Sequence, residues 1–201
     1  MKILLASNNL HKKQEFERLL SSHTIYLPSD LGITFDFEEN EPSFTMNALG
    51  KAQSLRALVP NEYVILSDDS GLCVDALSGG PGVRTARYGM DVFGRMLQSE
   101  ERNEFLLKNL SHLKTKEERK AYFVCALAVV FDPYRVFTIS ESVEGYIANQ
   151  SSGVKGFGYD PVFVVSAIER TMAELSDEEK DQYSHRGRAS RLLATLLGGM
   201  I

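Results

Sequence analysis

The feature that most constrains the fold is an unbroken apolar run, AYFVCALAVVF, from Ala121 to Phe131. Successive side chains of a β-strand point to opposite faces, so a strand that is apolar at every position must be covered on both faces. Helices packed on the two faces of a sheet provide that cover in α/β proteins. The run therefore predicts a central strand in a helix-flanked sheet.

Weaker patterns predict further strands and helices on both sides of this run. Predicted strands are residues 2–6, 33–37, 63–67 and a hairpin partner over 135–148. Predicted helices follow the first strand, begin at 42–43 and end before Pro60, span 102–113, and close the chain with Leu192, Leu193 and Leu196 on one face. We expect an α/β fold with a mixed sheet in a single domain over 1–201.

Composition excludes several classes of protein. The chain is 43% hydrophobic and 24% charged, which is ordinary for a globular protein. No segment approaches the roughly 18 uninterrupted apolar residues of a membrane span, and a net charge of -5 argues against a dominant surface for nucleic acid or anionic membranes. Cys73 and Cys125 form no zinc or disulfide pattern, so we expect a reducing, cytoplasmic location.

The first candidate site is the stretch ASNNLHKKQEF, from Ala6 to Phe16, at a strand-to-helix junction. A helix N-terminus attracts anions, and Ser7, Asn9 and Lys12 add donors and charge. The stretch lacks the glycines and the Gly-Lys-Ser/Thr ending of a Walker A loop. Serine and asparagine in front of a helix also act as caps, and on this stretch alone capping is the simpler interpretation.

The second is a pair of adjacent acids, Asp68 and Asp69, expected at the end of the 63–67 strand. Neighbouring carboxylates repel and are costly to desolvate, so they need open water or a cation. Magnesium binds through one or two carboxylates together with substrate phosphates, which makes Asp69 and Glu39 candidate ligands. The alternative is turn chemistry around Asp68 and Asp69, and spacing alone favours a solvated acidic turn for Glu39.

Two later stretches suggest recognition of a base. Phe157 lies between two glycines, where the backbone can approach a ligand closely enough for a base to stack on the ring. A core aromatic beside a tight turn is the alternative. His185 and Arg186 precede a predicted helix, where they can pair with an acid or face water. A guanidinium only donates, so Arg186 suits the carbonyl of a purine.

Together, these stretches resemble the inosine triphosphate pyrophosphatase family. The motifs are S-x-N-x-x-K over 7–12, D-D-S-G-L-x-V-D-A-L-x-G-x-P-G-x-x-x-A-R-Y over 68–88, G-F-G-Y-D-P over 156–161 and S-H-R-x-x-A over 184–189. They occur in the family's order and cover nearly the whole chain. Enzymes of this family remove non-canonical purine nucleotides such as XTP, ITP and dITP.

The resemblance implies a long central mixed sheet with flanking helices, two lobes around a nucleotide cleft, and a homodimer. It assigns Asp69 as general base and metal ligand, and Glu39 as the other magnesium ligand. The triphosphate would contact Ser7, Asn8, Asn9, Leu10, His11, Lys12 and Lys51, with Ser70 nearby. The base and sugar would contact Phe157, Gly158, Tyr159, Asp160, Lys180, His185 and Arg186. Many relatives have glycine at Asn8, where a side chain can alter the loop backbone.

The activity implied is hydrolysis between the α and β phosphates, giving a monophosphate and pyrophosphate, with Mg²⁺ as cofactor. Donors at Lys180 and Arg186 would favour the 6-oxygen of hypoxanthine or xanthine over the amino group of adenine. A Maf-like pyrophosphatase is one alternative, against which the S-H-R and G-F-G-Y-D motifs argue. A non-catalytic nucleotide-binding module is the other, and Asp69, Glu39 and Lys12 argue against it.

Overall fold

The computed structural model describes residues 1–199, in which a mixed β-sheet of seven strands is flanked by helices. The strands are β1 Lys2–Leu5, β2 Thr24–Tyr26, β3 Val64–Val74, β4 Lys120–Asp132, β5 Arg135–Ile147, β6 Phe163–Val165 and β7 Arg170–Thr171. Their order is β2-β1-β3-β4-β5-β6-β7. β1 runs parallel to β2 and β3, whereas β6 is antiparallel to β5 and β7. The predicted α/β class with a mixed sheet is confirmed.

Six α-helices accompany the strands within these residues. They are α1 Leu10–Leu19, α2 Phe44–Arg56, α3 Met90–Phe93, α4 Ser99–Asn109, α5 Asp177–Tyr183 and α6 His185–Gly198. Side-chain caps fix several starts: Asn9 caps α1, Ser43 caps α2, and Ser176 caps α5. Across residues 1–199, no helix is both long enough and apolar enough to cross a membrane.

The chain divides into two compact units. Unit 1 comprises Met1–Asp69, Cys125–Glu141 and the C-terminal segment from Arg186. Unit 2 comprises Ser70–Val124 and Ser142–His185. The boundaries fall inside β3, β4 and β5 and after the first residue of α6, so each of these elements contributes residues to both units. The single-domain interpretation of 1–201 stays a prediction.

In unit 1, the apolar run of β4 is covered on both faces. Cys125, Leu127 and Val129 belong to a buried cluster that includes α1 and α6 side chains such as Phe16 and Leu193. The intervening residues, Ala126, Ala128 and Val130, belong to a second cluster that includes Ala48, Ala52 and Leu55 of α2. This alternation is the arrangement that the run predicted.

The core of unit 2 contains a buried arginine. Leu106 and Leu110 of α4 are buried in one cluster with Phe123 and Phe163. Arg119, also buried, donates from Nε to the carbonyl of Ile147 at 2.6 Å, and its Nη atoms donate to the carbonyls of Leu110 and Ala148. Burial lowers the pKa of Arg119. Main-chain carbonyls thus satisfy a cation inside the apolar core.

Two predictions about elements are wrong. Residues 33–37 form no strand. Phe35 is buried in the cluster that includes α2 side chains, and Ile33 and Phe37 pack against this cluster. The alternating apolar residues of this segment therefore contact a helix-covered core and do not pair in the sheet. Thr24–Tyr26 forms the edge strand instead. The predicted 63–67 strand does not end at the acids, because β3 continues to Val74. The two acids are therefore strand residues with side chains on opposite faces.

We predict that Arg119→Met destabilises the protein because it leaves buried carbonyls without a donor. The free energy of unfolding, measured by urea denaturation, should fall by about 2–4 kcal/mol. Arg95→Met is the matched control: its ion pair with Glu101 is exposed to solvent and should contribute little to the free energy of unfolding. Equal losses in the two variants would mean that the buried contacts of Arg119 contribute nothing beyond a surface pair.

Candidate active site

The loop between β1 and α1 is held by its own side chains. Asn9 Oδ1 accepts from the main-chain N–H groups of His11 at 2.9 Å and Lys12 at 3.3 Å. Ser7 Oγ accepts from Asn9 N at 3.1 Å, and Asn8 Nδ2 donates to the carbonyl of Phe35 at 2.8 Å. Asn9 is therefore a helix cap, the simpler of the two interpretations, and it fixes the first turn from which Lys12 extends.

Two lysines meet at one main-chain oxygen of β3. The Nζ atoms of Lys12 and Lys51 each lie 3.2 Å from the carbonyl oxygen of Asp68. Lys12 also forms an ion pair with the Asp68 carboxylate, and Lys51 forms one with Glu39. A cavity of about 170 Å³ opens beside them, lined by Ala6, Ser7, Asn8, Asn9, Lys12, Phe35, Asp36, Phe37, Glu39 and Lys51. The predicted phosphate-binding residues Ser7, Asn8, Asn9, Lys12 and Lys51 thus share one cavity.

Glu39 lies in an irregular segment that α2 holds in place, and not at the end of a strand as predicted. The buried amide of Asn47 accepts from Glu41 N at 3.0 Å and donates to Glu41 O at 3.2 Å. A Cβ added at Gly50 would lie 2.9 Å from the Phe37 ring, so glycine permits this close approach. The segment therefore runs along α2, close to Lys51.

Asp69 is a buried carboxylate with unused bonding capacity. It is 4% exposed, and within residues 1–199 its Oδ2 atom has no hydrogen-bond partner. Burial is the largest cause, and the negative charge of Glu39 the second, of a rise in the pKa of Asp69 to about 6. An unpartnered carboxylate oxygen next to a second carboxylate fits a hard divalent cation. The positive charge of the cation would offset both the burial of Asp69 and its repulsion by Glu39.

This pair alone does not make a closed metal cage. Over the described part of the chain, no three His, Cys, Asp or Glu side chains are grouped so as to hold a metal ion. Glu39 and Asp69 would supply two of the ligands, and a divalent ion would need others from phosphate oxygens or water. Such a site is suited to an ion that arrives with a phosphorylated ligand.

Asp68 is the opposite case, although it is the next residue. It is 0% exposed, and its Oδ2 atom accepts from Arg186 Nε at 2.9 Å and from Cys125 Sγ at 3.3 Å. Burial opposes its charge, but the cations of Arg186 and Lys12 outweigh burial and hold the pKa of Asp68 well below its usual range. Asp68 is thus a permanently charged anchor, whereas Asp69 is able to exchange a proton near neutral pH.

Arg186 is held by carboxylates of unit 1. Besides Asp68, it contacts Glu15 of α1, with Nη1 to Oε2 at 2.5 Å. Burial disfavours the charged guanidinium, but Asp68 and Glu15 reverse this effect and raise its pKa. Three N–H donors of Arg186 are thus directed at carboxylates of the protein itself. Its expected role in binding the base stays a prediction.

In unit 2, three of the residues predicted to bind the base lie together. The Asp160 carboxylate accepts from Phe157 N at 2.8 Å and from Lys180 Nζ at 2.6 Å. The Lys180 ammonium also lies 4.8 Å from the centroid of the Phe157 ring. A Cβ at Gly156, where φ is +74°, would lie 2.0 Å from Asp160 Oδ2, so this turn requires glycine.

The other predicted residues of unit 2 have structural contacts. Tyr159 is buried, its hydroxyl donates to the Thr85 carbonyl at 3.0 Å, and burial raises its pKa. The His185 ring stacks on Phe123 with centroids 4.7 Å apart. Ser70 is a half-buried residue of β3. In unit 1, Leu10 and His11 are exposed at the start of α1. The ligand-binding roles of these residues stay predictions.

Sequence reasoning missed two buried polar residues, Glu15 and Asn103. Glu15 is three residues after Lys12 on α1 and therefore lies on the same face of that helix. Asn103 lies on the buried stripe that continues with Leu106 and Leu110. A polar residue on an otherwise apolar stripe is the signal that points to Asn103, and the shared face with Lys12 is the signal that points to Glu15.

We predict that the same substitution at Asp68 and Asp69 has opposite effects on stability. At pH 7, with a chelator present to remove divalent cations, Asp69→Asn should raise the free energy of unfolding by about 2–3 kcal/mol. The substitution removes a carboxylate whose ionisation is unfavourable in the folded state. Asp68→Asn should lower it by about 3–5 kcal/mol, since it leaves buried cations without their partner. Urea denaturation would measure both.

The effect at Asp69 should depend on pH in a defined direction. Because its folded pKa of about 6 exceeds the unfolded value near 3.8, the folded state binds more protons between these values. The penalty from Asp69 therefore grows as pH rises through 4 to 6 and is absent below pH 4. The advantage of Asp69→Asn over the wild type should vanish by about pH 4; an advantage that stays constant with pH would contradict this.

Comparison with known proteins agrees with the four motifs and the fold. The model of the Ham1 family matches residues 3–196. A dITP/XTP pyrophosphatase of Treponema denticola is 45% identical over 99% of this chain and 100% of its own length, and that of Bacillus subtilis is 38% identical over 96% of each. The solved Ham1 protein of Staphylococcus aureus is 37% identical, with each chain fully covered and a TM-score of 0.85. The predicted family resemblance is confirmed, and the chain belongs to the Ham1 family.

Proposed function

We propose that this protein hydrolyses non-canonical purine nucleoside triphosphates, namely ITP, dITP and XTP, to the monophosphate and pyrophosphate. The observation that carries the proposal is the Asp69 carboxylate, buried with an unpartnered oxygen beside Glu39 and close to two lysines. The two relatives described above are dITP/XTP pyrophosphatases, and we take the substrate class from them. Together they support a hydrolase acting on a phosphoric anhydride.

Lys12 and Lys51 would bind the triphosphate. Each ammonium has three N–H donors and, within residues 1–199, directs two of them at the contacts described above with Asp68 and Glu39. One donor on each lysine then remains for phosphate oxygens. Two cations fixed in this way would stabilise the charge that develops on the leaving pyrophosphate without having to move.

Glu39 and Asp69 would hold the divalent metal, for which we propose Mg²⁺ because both ligands are carboxylate oxygens. Such an ion supplies charge neutralisation at the phosphates and a bound water of lowered pKa. Lys51 already pairs with Glu39, so this lysine also holds the carboxylate in position. The carboxylate of Asp68 already pairs with Lys12 and Arg186, so the proposal does not use it as a ligand.

Asp69 would act as the base. With a pKa near 6, it is mostly ionised at pH 7 and yet basic enough to take a proton from an attacking water. The water oxygen would bond to the α phosphorus, and the bond from that phosphorus to the bridging oxygen would break. The bridging oxygen leaves with the pyrophosphate, and the monophosphate keeps the oxygen that came from water.

Base selection would involve the Phe157 ring and the charged pair of Lys180 and Asp160. A purine can stack on Phe157, and the Lys180 ammonium can donate to a 6-oxygen but not accept from the amino group of adenine. A base-reading role for Arg186 would require its guanidinium to exchange a carboxylate partner for the base.

We further propose that the protein acts in the cytoplasm as a homodimer and, given its net charge of -5, binds no nucleic acid.

We predict that the purified protein with Mg²⁺ releases pyrophosphate from ITP and XTP, and little from GTP or ATP. Pyrophosphate and orthophosphate should be assayed separately. Asp69→Asn should lower kcat by roughly 10²–10⁴ because the base is lost. Asp132→Asn, which makes the same change in the exposed β4–β5 turn, is the matched control and should keep full activity.

Each other result has a defined meaning. Orthophosphate as the first product would place the attack on another phosphorus and overturn the mechanism. Binding of ITP without turnover would favour a non-catalytic nucleotide-binding module. Turnover of modified pyrimidine nucleotides in preference to ITP would favour a Maf-like activity. An Asp69→Asn enzyme that keeps most of its activity would remove Asp69 from the role of base.

A further inference from the structure

A buried asparagine of α4 is bonded to the loop that carries Phe157. We name residues 156–160 the recognition loop. Asn103 is 4% exposed, and its Nδ2 atom donates to the main-chain carbonyl of Gly158 at 3.0 Å. Gly158 directly follows Phe157, so this hydrogen bond acts one residue away from the aromatic ring.

The recognition loop depends on such bonds because its backbone is intrinsically free. Both glycines that flank Phe157 have positive φ, +74° at Gly156 and +65° at Gly158. Glycine adopts this conformation readily but also leaves it readily, since nothing restricts its φ. Asp160 holds the inner side of the loop: its carboxylate accepts from Phe157 N, and its own N–H donates to Phe157 O at 3.2 Å. Asn103 holds the carbonyl of the residue that follows.

The helix contacts the next residue of the loop as well. The guanidinium of Arg102 lies 5.8 Å from the centroid of the Tyr159 ring, and Arg102 Nη1 donates to the carbonyls of Ala86 and Leu97. Arg102 is therefore attached to main chain outside the recognition loop. Through Arg102 and Asn103, one turn of α4 fixes two consecutive residues of the loop.

Asparagine is a costly residue at this position. Its Oδ1 atom is buried and has no hydrogen-bond partner within residues 1–199. A buried acceptor without a donor lowers stability, and leucine, which has the same branching but no polar side-chain atoms, would remove that penalty. The stripe of Leu106 and Leu110 around it would also suit leucine. What asparagine offers here, and leucine does not, is the N–H group directed at Gly158.

We propose that Asn103 is a positioning residue for base recognition: its amide fixes the Gly158 carbonyl and with it the backbone that orients the Phe157 ring. This inference rests on the proposed function, in which Phe157 stacks on the purine. The residues proposed for the phosphates, Lys12, Lys51 and Asp69, belong to unit 1, whereas Asn103 and the recognition loop belong to unit 2. Loss of the amide should therefore weaken binding of the base and leave binding of the phosphates unchanged.

The test compares Asn103→Leu with Asn109→Leu. Asn109 lies on the same helix and also makes a side-chain hydrogen bond, but its partner is Tyr88 Oη at 2.8 Å, which lies outside the recognition loop. For each variant we would measure KM and kcat for ITP, the inhibition constant of inorganic tripolyphosphate, which has no base, and resistance to urea. Asn103→Asp, which keeps the size but replaces the donor by an acceptor, serves as a second variant if Asn103→Leu does not fold.

For Asn103→Leu, we expect KM for ITP to rise about 5- to 10-fold, the effect of losing one hydrogen bond. We expect kcat to change less than about 2-fold, the inhibition constant of tripolyphosphate to stay the same, and resistance to urea to be equal or higher. Asn103→Asp should raise KM at least as much, because its carboxylate would face a carbonyl oxygen. Asn109→Leu should leave KM and the inhibition constant at wild-type values.

Two results with the variants would overturn the proposal. An unchanged KM in both Asn103 variants would show that the amide does not orient the loop. An equal rise in KM and in the inhibition constant of tripolyphosphate would show a general structural defect. If the wild type binds ITP without turnover, the proposed function fails, but the dissociation constant for ITP replaces KM and Asn103 is still tested. Failure of the wild type to bind ITP would overturn both.

Discussion

The buried charge of Asp68 is the interaction on which the arrangement of unit 1 depends. Its carboxylate joins Lys12 of α1 and Arg186 of α6, and its carbonyl receives the ammonium groups of Lys12 and Lys51. A carboxylate without access to water is stable only while its cations remain in place. Three helices are thereby tied to one residue of β3, and the two lysines proposed for the triphosphate are oriented before any ligand arrives.

The alternation of a β-strand explains how adjacent acids come to differ so much. Neighbouring side chains on β3 lie on opposite faces, so Asp68 meets Arg186 and Lys12 while Asp69 meets the charge of Glu39. One residue is stabilised as an anion and the other is destabilised. A turn at this position, which the sequence Asp-Asp-Ser-Gly equally suggests, would not separate the environments of the two carboxylates so completely.

The features that could be predicted from the sequence are those that depend on residues close together along the chain. The apolar run of β4 was sufficient to predict a strand covered on both faces, because that conclusion needs only local alternation. The strand predicted at 33–37 was wrong, since local alternation does not distinguish a sheet ladder from contact with a helix. The family resemblance grouped Phe157, Asp160 and Lys180 in one prediction, although Lys180 lies outside the four motifs. No local pattern pairs Arg186 with Glu15, 171 residues earlier, or Asn103 with Gly158.

The unpartnered oxygen of Asp69 has a consequence for the protein in its cell. Ligands that bind only the folded form stabilise it by mass action. A metal ion at Asp69 would also displace the proton that the raised pKa favours, so binding of the ion becomes weaker in acid. The enzyme without ligands would be the form most exposed to unfolding and proteolysis. Its abundance would then follow the supply of divalent metal and nucleotide, and a cell starved of either would retain less of it.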